Sequence, residues 1–436
     1  MTTDAAPGTT THMARIPGSK SLTNRMLLLA ASANGTSRIY APLVCQDTLT
    51  FRDALRACEI PVQASPRDEY WEVTGAGQGA IGRARVWCAD AGTAARFLPP
   101  YAAVGHGNFL FDGSSQLRAR PLGALLEALR ALGADIDVGP GARLPLLIRA
   151  EGLAGGEISV ESSSSSQYLS GLLMAAPLMR TGLRVRAPGL VSRPYTDMTL
   201  SLMRRYGADA TEGPDGSIRV EPGVYAATDM VVEPDASTAS YVFAAAAVTG
   251  GTVTVPGLGT DSLQGDLRFV EILAKAGAEV SVDEAATTVT GTGQLRGGFA
   301  VDMGDVSDTF MTLAAIAALA DAPITIHGIG HTRLKESDRL AAVADNLRAC
   351  GIETAHGTDW ITVHPGAPHP ARIACHHDHR VAMAFSVLGI ASSTAFELDD
   401  AHCVAKTFPG FHGEMQRLFC QYELPVVTSV SMEGPR

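Results

Sequence analysis

No stretch of 18 residues in this chain is free enough of polar, glycine or proline interruption to read as a membrane-spanning helix. The opening MTTDAAPGTTTHMAR lacks the apolar core of a secretory signal and reads as a loose head; residues 425–436 read as a frayed end. The seven cysteines show no short-range pairing, which fits a reducing, cytoplasmic setting rather than a disulfide framework. Charge is scarce at 18% of residues, and there is no Lys/Arg-rich tail. With a net charge of −11, the surface repels nucleic acid and anionic lipid, so neither is expected as a partner. Basic clusters in such a chain therefore carry information. What is plentiful is apolar residues, 46% of 436, enough for two or three domains.

The chain repeats itself. A helix-like segment ending at a turn, followed by a short strand, recurs as FRDALRACEIPV, LLEALRALGADIDV, LSLMRRYGADA, FVEILAKAGAEVSV and VADNLRACGIETA. The turn positions are Glu59, Gly133, Gly207, Gly277 and Gly351, spaced by 74, 74, 70 and 74 residues. Glycine at four of them suits a helix C-cap at positive φ. A sixth, degenerate copy is expected to end near FHGEMQRLF. Runs such as GGTVTVPG, LRVRAPG and ITIHGIG read as strands. Six α+β units divide naturally into two lobes of three.

Several helices are expected to start on polar residues and continue almost wholly apolar, over 19–34, 237–248, 310–320 and 379–390. Such N-termini suit anions. Lys20, Ser21 and Arg25 cluster in PGSKSLTNR, with Ser19 or Ser21 as cap; the GxxxxGK[ST] spacing of a P-loop is absent. In DAGTAARF, Gly92 and Thr93 offer backbone N–H groups, Arg96 points at an anion, and Asp90 is a candidate to hold Arg96. QLRARP supplies Arg118 and Arg120, with an interior anchor and a solvated surface pair both open readings. SSSSSQ runs straight into an apolar segment and reads as a cap, offering Ser165, Ser166 and Gln167. VSRPYTDMTL adds Ser192 and Tyr195, with Pro194 setting the backbone.

In RLKESDR, residues 333–339, Lys335 and Arg339 are expected to share a helix face, and Glu336 to meet Arg339. DMGDVSDTFM carries Asp302, Asp305 and Asp308, of which Asp308 is the candidate proton acceptor; the DxDxDG calcium spacing is missing. CHHDHR invites a zinc reading, but no CxxC lies nearby, so the expectation is a helix start with His379 and Arg380 facing a pocket. Lys406 in AKTFPG reads as a loop residue.

Taken in order, PGSKSLTNR, AGTAAR, SSQYLSGLLMAAP, SRPYTDMTL, EPDASTASY, LQGDLRF, RLKESDRL, DHRVAM and AKTFPG resemble the 5-enolpyruvylshikimate-3-phosphate synthase (3-phosphoshikimate 1-carboxyvinyltransferase) family from about Pro17 to Pro409. The resemblance implies an α/β fold of two lobes, each of three βαβαββ units in an inside-out α/β barrel. Lobe one would be 18–236, mainly acceptor-binding. Lobe two would be 1–17 with 237–436, completing an interlobe active site. It implies phosphoenolpyruvate and 3-phosphoshikimate as substrates, no metal or organic cofactor, and a monomer. Ser165, Ser166 and Ser192 would hold the shikimate phosphate. Arg25, Tyr195, Asp308 and His331 would orient its ring and carboxylate. Arg120, Arg339, Arg380, Gln167 and Lys406 would surround phosphoenolpyruvate near the Gly92 backbone, and Lys20 would touch both. Asp308 would be the base, with Glu336 or Lys20 protonating C3.

The chain departs from the commonest family pattern at Cys45 and Gln46, at Asp90, at Phe97 and at His331, while Gly92 agrees with the glyphosate-sensitive branch. These changes leave open an alternative, a natural-product enolpyruvyl transferase using another phosphorylated acceptor such as a uridine nucleotide. A catalytically dead binding protein is disfavoured, because a structural chain has no need of so many charged groups beside glycine turns.

Overall fold

The computed structural model describes residues 11–419. They form two compact α/β units. The first comprises residues 17–235 and 262–265; the second comprises 11–16, 236–261 and 266–419. The short stretch Ser262–Gly265 packs with the first unit rather than with its sequence neighbours. The Glu233 carboxylate holds it there by accepting from Ser262 Oγ, Leu263 N and Gln264 Nε2.

One strand order recurs through the sheets. Ile81–Trp87 pairs parallel with His106–Asp112, which pairs antiparallel with Arg143–Glu151, which pairs antiparallel with Asp135–Gly139. Gly156–Ser159, Leu183–Arg186, Ile218–Val220 and Ala210–Glu212 repeat it. In the third sheet of the first unit, Ala33–Tyr40 takes its parallel neighbours from far along the chain, Tyr225–Ala226 and Met230–Val231. The second unit repeats the order around Thr252–Pro256, with Thr11–Met13 as the distant parallel strand, and around Ile324–His327. Its last sheet, among the described residues, is the parallel pair Ala371–Ile373 and Phe396–Leu398.

A parallel pair requires a crossover, and here the crossover is a helix. Gly92–Ala103, Gln167–Ala175, Phe310–Ala317 and His379–Ser392 each bridge such a pair. With Lys20–Ser32 and Ala236–Thr249 they make six helices that are buried almost all round. Their Ala/Leu-rich sequences allow this, since no face must meet water. Three pack together in each unit, at the heart of separate apolar cores. The helices of the repeated segments, such as Gln46–Ala57 and Arg339–Ala349, are amphipathic and return the chain to the antiparallel strands. All five repeated turn positions adopt positive φ: Glu59 at 62°, Gly133 at 96°, Gly207 at 87°, Gly277 at 102° and Gly351 at 80°. At Glu59 the side chain makes that conformation cost about 1 kcal/mol, so geometry rather than residue type is what repeats.

Among the described residues no helix is long and apolar enough to cross a membrane.

Candidate active site

In the first unit the polar residues gather where buried helices begin. Ser19 caps the Lys20–Ser32 helix by accepting from Leu22 N, leaving Lys20 as its first residue. Lys20 Nζ donates to Asp47 at 3.3 Å. Arg25 lies one turn further in and is 1% exposed. Its guanidinium donates to Thr199 Oγ1 (2.7 Å), Ser21 O (3.1 Å), Ser170 Oγ and Tyr195 O (both 3.3 Å). It also lies over the rings of Phe97 and Tyr195. Among the described residues no carboxylate pairs with it, and burial lowers its pKa to about 10. This is a positive charge placed in the interior without a counter-ion among the described residues.

Gly92 opens the next buried helix. A Cβ there would stand 2.6 Å from Arg120 Nη1 and 3.0 Å from Arg96 Nη1, so only glycine lets both guanidinium groups approach this backbone. Arg120 is buried, and among the described residues its Nε has no partner and no carboxylate pairs with it. Arg118 instead pairs with Asp112 at the surface. Arg96 donates to Gln167 Oε1 at 2.8 Å, while Asp90 accepts from the Ser114 hydroxyl, so Gln167 takes the holding part expected of Asp90. Thr93 Oγ1 accepts from Asn24 Nδ2, joining two helix starts. Ser165 and Ser166 are buried just before the Gln167–Ala175 helix. Ser192 is buried in the left-handed region at φ 52°, immediately before the Arg193–Arg205 helix with Pro194 in its first turn.

In the second unit the centre is Arg339, 1% exposed, which meets three carboxylates: Asp378 and Glu336 at 2.8 Å and Asp308 at 3.0 Å. Asp308 in turn meets Arg380 at 2.8 Å and Lys335 at 4.0 Å. Burial raises the Asp308 pKa, but Arg380, Lys335 and Arg339 outweigh it and hold the carboxyl far below its usual range. Burial likewise disfavours charge on Arg339, and Asp378, Glu336 and Asp308 more than reverse this. Glu336 also approaches Lys406 at 3.7 Å. His331 is buried with Nε2 2.8 Å from Ser307 Oγ; burial, with Lys335 and Arg339 nearby, lowers its pKa to about 4, so it is neutral at pH 7.

Three expectations need correction. Lys335 and Arg339 do not share a helix face, because the helix begins only at Arg339; Asp338 caps it by accepting from Ala341 N, and Lys335 ends the preceding 3-10 turn. Asp308, rather than a helix face, brings the two cations together. His379 does not face a pocket; its side chain is 0% exposed, with Nδ1 3.7 Å from Asp378. Lys406 closes a 3-10 turn, Ala401–Lys406, rather than lying in an open loop. Cys45 is buried, with its N–H donating to Thr48 Oγ1, and serves the start of the Gln46–Ala57 helix. Among the described residues no group of three or more His, Cys, Asp or Glu side chains is placed to hold a metal ion.

The family model for EPSP synthase (3-phosphoshikimate 1-carboxyvinyltransferase) matches residues 7–415. The chain belongs to the EPSP synthase family. It is 40% identical over 400 residues to the 3-phosphoshikimate 1-carboxyvinyltransferase of Nostoc punctiforme, covering 91% of this chain and 93% of that one. Against the Marinomonas protein of the same name it is 38% identical over 406 residues, covering 91% and 94%. In fold it is similar to the EPSP synthase of Acinetobacter baumannii (TM-score 0.78, 24% identity, 94% and 96% covered). It is also similar to the enolpyruvyl transferase NikO of Streptomyces tendae (TM-score 0.75, 19% identity, 94% of each covered). The two-domain enolpyruvyl transferase architecture of repeated βα units is thus the fold of this chain as well.

In this EPSP synthase family member, sequence reasoning missed Asp378 and the ion pair between Lys20 and Asp47. One available signal was lysine usage. The chain has four lysines against thirty arginines, and Lys20, Lys335 and Lys406 all belong to these two clusters.

Proposed function

We infer that the protein transfers the enolpyruvyl group of phosphoenolpyruvate to the 5-hydroxyl of 3-phosphoshikimate, releasing phosphate by addition and elimination. This is a step of the shikimate route to chorismate and the aromatic amino acids. The observation that carries the reading is Asp308 gripped by Lys335, Arg339 and Arg380, on a chain matched to the family over nearly its whole length.

A carboxylate so gripped is a poor base. The carboxylate and phosphate of phosphoenolpyruvate compete for the same cations, and drawing them away returns basicity to Asp308. Asp308 then takes the 5-hydroxyl proton as the C–O bond forms. C3 gains a proton from Glu336 or Lys20, giving a tetrahedral intermediate. That intermediate returns a C3 proton to the donor and expels phosphate, which carries off the proton held by Asp308, so that the double bond and both protein groups are restored. Arg120, Arg339, Arg380, Gln167 and Lys406, with the Gly92 backbone and Thr93, stabilise the negative charge throughout. Ser165, Ser166 and Ser192 take the acceptor phosphate; Arg25, Ser21, Tyr195 and His331 take its ring and carboxylate. We place the acceptor-binding role mainly in the first unit and propose a cytoplasmic monomer, which size-exclusion chromatography with light scattering checks.

The test is an acceptor screen following phosphate release and product mass. Turnover with phosphoenolpyruvate and 3-phosphoshikimate is expected. Turnover confined to uridine nucleotides would overturn the acceptor assignment.

A further inference from the structure

The chain leaves the second unit after Asp261 and rejoins it at Asp266, and the residues between, Ser262–Gly265, belong to the first. The proposed chemistry does not use them, yet they are closely held. Glu233 Oε2 accepts from Ser262 Oγ at 2.6 Å and from Gln264 Nε2 at 3.0 Å, and its Oε1 accepts from Leu263 N at 3.1 Å. Gln264 Nε2 also donates to Pro234 O at 2.7 Å, and Gln264 N to Ser262 Oγ at 3.2 Å. Leu263 packs against the apolar core of the first unit. Glu233 is itself anchored: its carbonyl accepts at 2.8 Å from N of Ser19, the cap of the Lys20–Ser32 helix.

The last residue of the segment lies on Pro194. A Cβ at Gly265 would stand 2.2 Å from Pro194 Cβ and 2.7 Å from Pro194 Cγ. Those are ring atoms with no rotamer to escape into, so backbone meets ring there with no room for a methyl group. Pro194 sits in the first turn of the Arg193–Arg205 helix, between Ser192 and Tyr195. Ser192 holds φ 52°, a conformation that costs a residue with a side chain and persists where its surroundings impose it. The pairs of Arg193 with Asp197 and Glu212 join exposed side chains and are weak restraints. Gly265 supplies a stiffer one, because its segment is bound to Glu233 and through it to Ser19.

We propose that Ser262–Gly265 is a strap that positions the acceptor site. Glu233 fixes the strap, and Gly265 backs Pro194 so that Ser192 and Tyr195 keep the geometry that grips the acceptor. Glu233 and Gly265 are thus positioning residues, acting through Pro194. Their effect on binding rests on the acceptor role given above to Ser192 and Tyr195; the strap's hold on the helix start does not.

Gly265→Ala drives a methyl group into Pro194, and Glu233→Gln weakens the anchor by leaving one amide oxygen where two carboxylate oxygens accepted. KM for 3-phosphoshikimate, and its dissociation constant by calorimetry without phosphoenolpyruvate, should rise roughly tenfold in Gly265→Ala and less in Glu233→Gln, as for a misplaced binding group. KM for phosphoenolpyruvate should stay within about twofold of the parent. A merely structural role reads differently, because partial unfolding removes active molecules and lowers kcat while both KM values stay put. That outcome, or an equal rise in both KM values, would overturn the strap. If Gly265→Ala does not fold, Glu233→Gln decides on the same readouts. In the free protein, amide hydrogen exchange over residues 192–197 should quicken in both variants, and unchanged exchange there would overturn the strap whatever the acceptor. A parent protein that does not bind 3-phosphoshikimate would overturn the acceptor reading, while the exchange result still decides the strap.

Discussion

Arg339 Nε donates to Asp378 Oδ2 at 2.8 Å, with the two side chains 1% and 0% exposed. The same carboxylate caps the His379–Ser392 helix by accepting from Arg380 N and also accepts from Ser337 Oγ. One buried acid thereby fixes the rotamer of Arg339 and the helix start that carries Arg380. Asp378→Asn keeps the shape and removes the charge. Breaking a buried pair costs about 3 kcal/mol or more. The variant should lose stability of that order in urea unfolding, together with activity.

Glu336→Gln should behave oppositely. Glu336 is 11% exposed, and Arg339 keeps two other carboxylates when Glu336 is neutralised. Turnover should fall by about 100-fold or more, as for a lost acid–base group. Unfolding free energy should fall by less than in Asp378→Asn, because the glutamine oxygen can still accept from Arg339, which keeps Asp378 and Asp308 as counter-charges. A stability loss matching that of Asp378→Asn would assign Glu336 a structural role.

Arg25→Gln removes a buried cation that has no carboxylate partner among the described residues. The hydroxyls it leaves remain satisfied, since Thr199 Oγ1 already donates to Tyr195 O at 2.8 Å and lies 3.0 Å from Ser170 Oγ. Stability should change by no more than about 1 kcal/mol. KM for 3-phosphoshikimate should rise by roughly 10²-fold, the value of one lost charge-assisted contact. A melting curve and a substrate titration separate the two.

Gly92→Ala places a methyl group against Arg120 and Arg96, and the more mobile guanidinium must shift. KM for phosphoenolpyruvate should rise about tenfold while KM for 3-phosphoshikimate stays near its starting value, because misplacing one charged contact costs on the order of 1–2 kcal/mol. Equal rises in both would place Arg120 and Arg96 elsewhere in the reaction.

His331 gives a pH signature. Its folded pKa, about 4, lies below the ordinary value of 6.5. Above pH 6.5 the ring is neutral in both folded and unfolded chains. As pH falls from 6.5 toward 4 the unfolded chain binds the extra proton, and stability drops, by at most about 3 kcal/mol. His331→Asn should flatten that part of the curve of melting temperature against pH between 7 and 4. An unchanged slope would place the titration elsewhere.

Much of this molecule was legible in its residues. Equal spacing of the segments ending at Glu59, Gly133, Gly207, Gly277 and Gly351 follows from one backbone turn repeated, and glycine at four of the five announces it. Ser19 before an apolar run marked a helix start, and wholly apolar runs after polar ones marked the buried helices, because local propensity and burial act over neighbouring residues. The ordered motifs carried the family.

Local pattern could not say which charge faces which. RLKESDR reads as a helix by spacing, but Asp338 starts the helix later, and Lys335 and Arg339 meet at Asp308, about thirty residues earlier in the chain. Arg118 and Arg120 look alike in sequence, yet one pairs with Asp112 at the surface and the other lies buried against Gly92. His379 looked like a pocket residue and lies in the interior. Helices and turns answer to neighbours a few residues away, so the sequence alone determined them. Ion pairs answer to distance in space and to the dielectric around them, so only the packed structure decided which groups are gripped and which, among the described residues, are buried without a carboxylate partner.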